Sequence, residues 1–220
     1  ARNIFCVGKN YVEHAAEFQG SGFDDANKSG QDIPEHPIFF TKADSTITGP
    51  GDPIPASTDP LESTDYEGEL TIVIGKSGYK IDRNQAMEHI FGYTIINDVT
   101  SRGLQKKHNQ WFLGKNLDGF CPMGPTVVTA DEIDDVSSLE LITSVNGEER
   151  QRAHLEQLIF DIPELIVTLS SVMTLNPGDL IATGTPAGVG VGFSPPKFLK
   201  KGDRVEITIE PIGTLSNPVT

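Results

Sequence analysis

Tyr66-Glu67-Gly68-Glu69-Leu70-Thr71-Ile72-Val73-Ile74-Gly75 is the stretch on which the fold turns. Leu70, Ile72 and Ile74 fall on one face of an extended segment, and Glu67, Glu69, Thr71 and Val73 fall on the other. Alternation with period two predicts a strand with a core behind it. Tyr93-Thr94-Ile95-Ile96-Asn97-Asp98 reads as the next long strand, and residues 3–8, 39–42, 126–129, 139–145, 180–183 and 204–209 as further ones. Turns at Gly49-Pro50-Gly51-Asp52-Pro53, Asn146-Gly147 and Asn176-Pro177-Gly178-Asp179 separate them. Helices are few and short. One is predicted from an Asn10 N-cap, with Glu13 as its capping-box partner, to about Gly20, and another over 82–91. A third covers 100–107, capped by Thr100 or Ser101, and a fourth 163–171, with Pro163 in its first turn. Strands outnumber helices without regular strand–helix–strand alternation, which predicts a mainly β, largely antiparallel member of the α+β class rather than a doubly wound sheet.

At 220 residues, 37% hydrophobic and 22% charged, with 22 Gly and 15 Pro, the chain has the make-up of one turn-rich globular domain. Its 17 Lys and Arg against 31 Asp and Glu give a formal charge of −14, which argues against nucleic acid and anionic membrane surfaces as partners. No apolar run approaches the roughly 18 residues of a membrane-spanning helix, and the run after Arg2 is too short for a signal peptide. Two cysteines build no disulfide framework, and Cys6 sits in Ile4-Phe5-Cys6-Val7 as a reduced core residue would; a cytoplasmic, reducing location is expected. The first residue is Ala, which suggests that upstream residues were removed. Residues 20–36 are aperiodic and rich in Gly, Asp and Ser, the composition of a functional, mobile loop.

Glu67 and Glu69, two apart on a strand, point the same way about 7 Å apart. Like charges that close repel unless a cation sits between them, and Gly68 keeps bulk off the opposite face. Asp98, ending the neighbouring strand, is the third candidate. Three carboxylates without Cys or His suit a hard cation, Mg²⁺, Mn²⁺ or Ca²⁺, rather than Zn²⁺. A solvated strand face with a helix-capping Asp is the alternative. Arg102 and Gln105, three apart, share a helix face near Asp98. Lys115, in Phe112-Leu113-Gly114-Lys115, would bring three carboxylates and one dication to zero charge; an ordinary surface lysine is the other reading. His14 and Glu17, also three apart, would make a carboxylate-supported base beside the loop, or an exposed surface pair.

Three motifs fail on inspection. Gly75-Lys76-Ser77 lacks the upstream glycine of a phosphate-binding loop, where Leu70 stands. Gly188-Val189-Gly190-Val191-Gly192 is followed by Pro195-Pro196 where a dinucleotide-binding helix must begin. Cys121, between Phe120 and Pro122, has no local basic partner to make it a nucleophile.

Taken together, these segments resemble the fumarylacetoacetate hydrolase superfamily, on the bacterial side that includes acylpyruvate hydrolases, oxaloacetate decarboxylases and 2-hydroxyhepta-2,4-diene-1,7-dioate isomerases. The resemblance runs over nearly the whole chain: Val7-Gly8-Lys9-Asn10-Tyr11 with His14 and Glu17, Phe40-Thr41-Lys42, Asp65 to Leu70, Gly92-Tyr93, Asn97 to Arg102, Gln105, Gly114-Lys115, Pro122 to Pro125, Val145 to Glu148, Pro177 to Asp179 and Thr183 to Gly188. It implies a mixed β-roll with a few short helices, one catalytic domain over residues 1–220, a lid helix and mobile loop over 9–36, and a homodimer. It makes Glu67, Glu69 and Asp98 ligands of Mg²⁺ or Mn²⁺ and Lys115 an electrostatic or proton-handling lysine. His14 and Glu17 become a water-activating dyad, and Arg102, Gln105 and Thr185 contacts to a small 2-oxo acid. Gly103 stands where relatives usually carry Asp, which suggests a looser helix under Arg102, since glycine costs about 1 kcal/mol there. The expected activity is metal-dependent cleavage of a C–C bond in a 2-oxo acid, by acylpyruvate hydrolysis or oxaloacetate decarboxylation. Isomerisation of a 2-hydroxy-dienoate is the alternative within the family, and a non-catalytic cation-binding scaffold the alternative outside it.

Overall fold

A computed structural model describes residues 3–23, 33–108 and 110–220. In chain order the elements are β1 (Ile4–Gly8), α1 (Val12–Gly20), β2 (Ile38–Lys42), β3 (Ile47–Thr48), β4 (Thr64–Asp65), β5 (Gly68–Ile74), β6 (Ile90–Asn97), β7 (Thr100–Ser101), α2 (Arg102–Lys107) and α3 (Phe112–Lys115). There follow β8 (Cys121–Thr129), β9 (Glu140–Val145), β10 (Glu148–His154), α4 (Ile162–Val172), β11 (Leu180–Ala182), β12 (Arg204–Ile209) and β13 (Gly213–Pro218). A seven-stranded sheet runs β2-β1-β11-β5-β6-β8-β3, a four-stranded one β10-β9-β12-β13, and β4 pairs with β7. Among the paired strands of the described residues only β1–β11 and β3–β8 run parallel, so the architecture is mixed and mainly β, as expected from the strand-rich pattern. No helix among the described residues is long and apolar enough to cross a membrane.

Leu70, Ile72 and Ile74 of β5 are buried in the main core with Tyr66, Leu141, Leu165 and Ile207. Each contributes about 1.5–3 kcal/mol by leaving water. Gly68 opens β5 at a place where β9 and β12 of the second sheet pack against it. A Cβ there would lie 2.3 Å from the Thr143 hydroxyl of β9 and 3.1 Å from Ile207 of β12. Gly68→Ala should therefore overpack this contact and cost about 1–3 kcal/mol, read as a lowered denaturation midpoint with unchanged slope; an unchanged midpoint would show that the two sheets have room to separate here.

Three local expectations need correction. Asn10 does not cap α1: the N-cap is Tyr11, without a side-chain bond. The Asn10 amide instead donates to the carbonyls of Thr183 and Phe160 and accepts from the Phe160 N–H, tying the start of α1 to the sheet. Residues 82–91 form a 3-10 segment, Arg83–His89, leading straight into β6. Strands β10 and β13 were not anticipated from their sequence. The Ser101 hydroxyl does cap α2 by accepting from the Leu104 N–H, and Asp161 caps α4. The mobile loop expected within 20–36 falls largely on residues 24–32, which lie outside the described residues.

Candidate active site

The β5–β6 register assembles the centre. Gly68 pairs with Asn97 and Glu69 with Ile96, and the Asp98 N–H donates to the Glu67 carbonyl at 2.8 Å. Glu67, Glu69 and Asp98 thereby bring carboxylate oxygens within 4.8 Å of one another, all three buried. The alternative of a solvated strand face is excluded by that burial.

Cations surround the group. Lys115, at the end of α3, places its Nζ 2.6 Å from Glu67 Oε2 and 2.7 Å from Asp98 Oδ2. Arg102 Nη1 lies 2.7 Å from Glu67 Oε1, and Lys42 Nζ donates to Asp98 Oδ1 at 2.7 Å and to the carbonyls of Val99 and Lys115. Burial alone would raise the Glu67 carboxyl, but Lys115, Arg102 and His14 outweigh it and hold the group at about 2. Burial would likewise lower the Lys115 ammonium, and Asp98 and Glu67 raise it instead. Glu69 goes the other way: burial, with Asp98 and Glu67 beside it, pushes its carboxyl well above the ordinary value, against Lys115 and the Gly184 N–H.

Glu69 is the test of whether a dication fits. A buried carboxyl whose ionisation is disfavoured by burial and by two neighbouring carboxylates gains most from a nearby positive charge, and the donor set is all hard oxygen. Mg²⁺ or Mn²⁺ fits these residues. The charge balance read from sequence needs correction, because Lys42 adds a second buried lysine. With Arg102 and its second partner Asp65 counted, four carboxylates, Arg102, Lys42, Lys115 and a dication sum to +1, a field suited to an anionic substrate.

Of the residues singled out in the sequence, all but Glu17 and Asp98 line one small pocket. Glu17 stands behind His14, with Oε2 3.5 Å from Nδ1, and Asp98 stands behind Lys115. His14 is buried, as is Lys115, so neither is the exposed surface residue that local pattern allowed. Arg102 Nη1 also donates to Gln105 Oε1 at 3.3 Å, while its buried Nη2 finds no partner among the described residues. Thr185 Oγ1 accepts from Gln151 Nε2 at 2.8 Å. Cys121 is no nucleophile: burial pushes its thiol up to about 12.

Gly103 does not loosen α2. A Cβ there would lie 2.7 Å from Leu61 Cδ1, and the Gly103 N–H donates to Ser63 Oγ, so glycine lets the 59–63 turn pack against the helix. Arg102 itself is fixed by Asp65, whose Oδ2 accepts from Nε at 2.8 Å; burial raises the Asp65 carboxyl against the pull of that guanidinium. Asp65, Lys42 and Gln151 were not singled out as site residues. Lys42 had one signal, a lysine ending an aromatic strand, Phe39-Phe40-Thr41-Lys42. Phe40 and Trp111, edge-on at 5.5 Å, complete the pocket wall.

Comparison with known proteins bears on this geometry. The family model described as "Fumarylacetoacetate (FAA) hydrolase C-terminal" matches residues 3–220. The oxaloacetate tautomerase YisK of Bacillus subtilis (strain 168) is 53% identical over 219 residues, covering 100% of this chain and 70% of that protein. Among solved structures, fumarylacetoacetate hydrolase from psychrophilic Exiguobacterium antarcticum superposes with a TM-score of 0.87 at 47% identity, over 100% of this chain and 75% of that one. Maleylpyruvate hydrolase from Sphingobium sp. SYK-6, solved with manganese(II) and pyruvate, does so with 0.79 at 34% identity, over 99% and 70%. A match over nearly every residue, to proteins of the same fold, makes this chain a member of the fumarylacetoacetate hydrolase family.

Proposed function

We propose that the protein is a divalent-metal-dependent enzyme that moves a proton between the keto and enol forms of a small 2-oxo acid, with oxaloacetate as the leading substrate. One observation carries the reading: a carboxylate-backed imidazole, His14, and a buried ammonium, Lys115, line the same small pocket as the carboxylate group. The 53% identity to an oxaloacetate tautomerase supports it. Glu67, Glu69 and Asp98 would hold Mg²⁺ or Mn²⁺, which supplies Lewis acidity toward the oxygens of a 2-oxo acid.

The chain's own residues do the rest. Arg102, with its unpartnered Nη2, and Gln105 offer N–H donors to a substrate carboxylate. His14 takes the proton from the carbon beside the keto group, with Glu17 steadying the resulting imidazolium. Lys115 meets the negative charge left on the keto oxygen and can return a proton there. Phe40, Trp111 and Phe18 supply aromatic wall to the pocket.

Cleavage of a C–C bond is the second reading, favoured because the same His14–Glu17 pair could deprotonate a water, and because the maleylpyruvate hydrolase shares the fold. One preparation assayed on oxaloacetate enolisation, oxaloacetate decarboxylation and acylpyruvate hydrolysis separates the two. Metal-dependent enolisation should be fastest, and His14→Ala should lower it by about 10²–10⁴-fold with metal affinity unchanged. Enolisation no faster than in buffer, beside rapid acylpyruvate cleavage, would replace the first reading by the second.

A further inference from the structure

The segment Gly188-Val189-Gly190-Val191-Gly192 opens no helix of the kind a dinucleotide loop needs, yet its alternation has a use. Its two valines are buried and pack with Phe18 of α1. Its backbone faces two buried or half-buried carboxylates. The Gly188 N–H donates to both oxygens of Glu17, at 3.1 Å each, and Tyr66 Oη anchors the Gly188 carbonyl at 2.8 Å. The Gly190 and Val191 N–H groups donate to the two oxygens of Asp65, at 2.7 and 3.0 Å. Gly192 makes room for the first of these acids: a Cβ there would lie 2.0 Å from Glu17 Oε1 and 2.2 Å from its Cδ.

We infer that segment 188–192 is a positioning element for the reaction, seating Glu17 behind His14 on the same stretch of backbone that holds Asp65 behind Arg102. Base and anion-binding group are thus set relative to each other by five residues, and Val189 and Val191 clamp the helix that carries the base. The inference rests on the reading of His14 as base.

Gly192→Ala tests it. The position has no left-handed backbone to disturb, so the added methyl acts on Glu17 rather than on the loop. With Glu17 unseated, kcat for oxaloacetate enolisation should fall about 10²-fold, the scale of a small misplacement of a catalytic group. KM should change little, because the Asp65–Arg102 contacts remain. Hydrogen exchange of the α1 amides should quicken. Adding Gly192→Ala to Glu17→Ala should cost no further activity and leave α1 exchange as in Glu17→Ala alone, since the three atoms nearest the methyl all belong to the Glu17 side chain. Losses that simply add, or wild-type kcat and α1 protection in Gly192→Ala, would overturn the inference. A wild-type protein inactive on all three substrates would instead sink the functional reading, and α1 exchange in Gly192→Ala would still decide whether the segment seats Glu17.

Discussion

Glu69→Gln is expected to abolish divalent-cation binding and turnover together. Glu67 and Asp98 already have both carboxylate oxygens engaged by Lys115, Arg102 and Lys42, whereas among the described residues only one oxygen of Glu69 is taken, by the Gly184 N–H. Of the three proposed ligands, Glu69 would therefore have the most to offer a dication and the least to lose. Mn²⁺ affinity should fall by more than the 10–100-fold typical of losing an outer supporting residue. Activity should fall by about 10³-fold or more, several kcal/mol of Lewis-acid stabilisation at 1.36 kcal/mol per decade. The raised Glu69 carboxyl adds a signature: cation binding displaces its proton, so affinity rises with pH and calorimetry in buffers of different ionisation heat shows proton release. Without metal, the folded chain keeps this proton to higher pH than the unfolded chain does. Stability from this group accordingly falls as pH rises above the ordinary value of 4.5, and saturating Mg²⁺ should remove the fall. Full-affinity Mn²⁺ binding by Glu69→Gln would show that the cation sits elsewhere.

Lys115→Ala is expected to part what Glu69→Gln joins. Its ammonium bridges Glu67 and Asp98, so it would compete with a dication for the same oxygens while serving the substrate in the proposed reaction. Removing it should lower turnover by about 10²–10³-fold, the usual cost of one preorganised electrostatic donor. Metal affinity should hold or rise, because a buried positive charge beside the site has gone. Oxaloacetate enolisation and decarboxylation should fall alike, since both leave negative charge on the same keto oxygen. Weakened Mn²⁺ binding with normal turnover at saturating metal would make Lys115 a structural prop and not a participant. Lys42, wholly buried against Asp98 and two carbonyls, is the residue that fits the prop role.

Most of the centre was legible because it is local. A strand's period of two aligns Glu67 with Glu69, and a helix's spacing aligns His14 with Glu17 and Arg102 with Gln105. The partners that tune these groups are non-local, and nothing in their own neighbourhood announces them. Lys42 reaches Asp98 across 56 residues of chain, Asp65 reaches Arg102 across 37, and Gln151 reaches Thr185 across 34. Asn10 had the residue type of a helix cap but found stronger employment bridging Thr183 and Phe160. Strand β10 hid in Glu148-Glu149-Arg150-Gln151-Arg152, a charged edge whose inward residues are only Gln151 and Ala153. Gly103 misled because its cost was reckoned within the helix, whereas its reason is Leu61 beside it.

The central claim is that this pocket, loaded with a divalent cation, catalyses proton transfer on a 2-oxo acid. Its most direct measurement is the decay of enol absorbance of oxaloacetate added as the enol, with protein in Mg²⁺ or Mn²⁺ and in EDTA. Catalysed decay that needs the metal, returns when EDTA is outcompeted, and is lost in His14→Ala and Lys115→Ala is the expected result. Decay at the buffer rate with metal present, or an equal protein-catalysed rate in EDTA, would contradict the account.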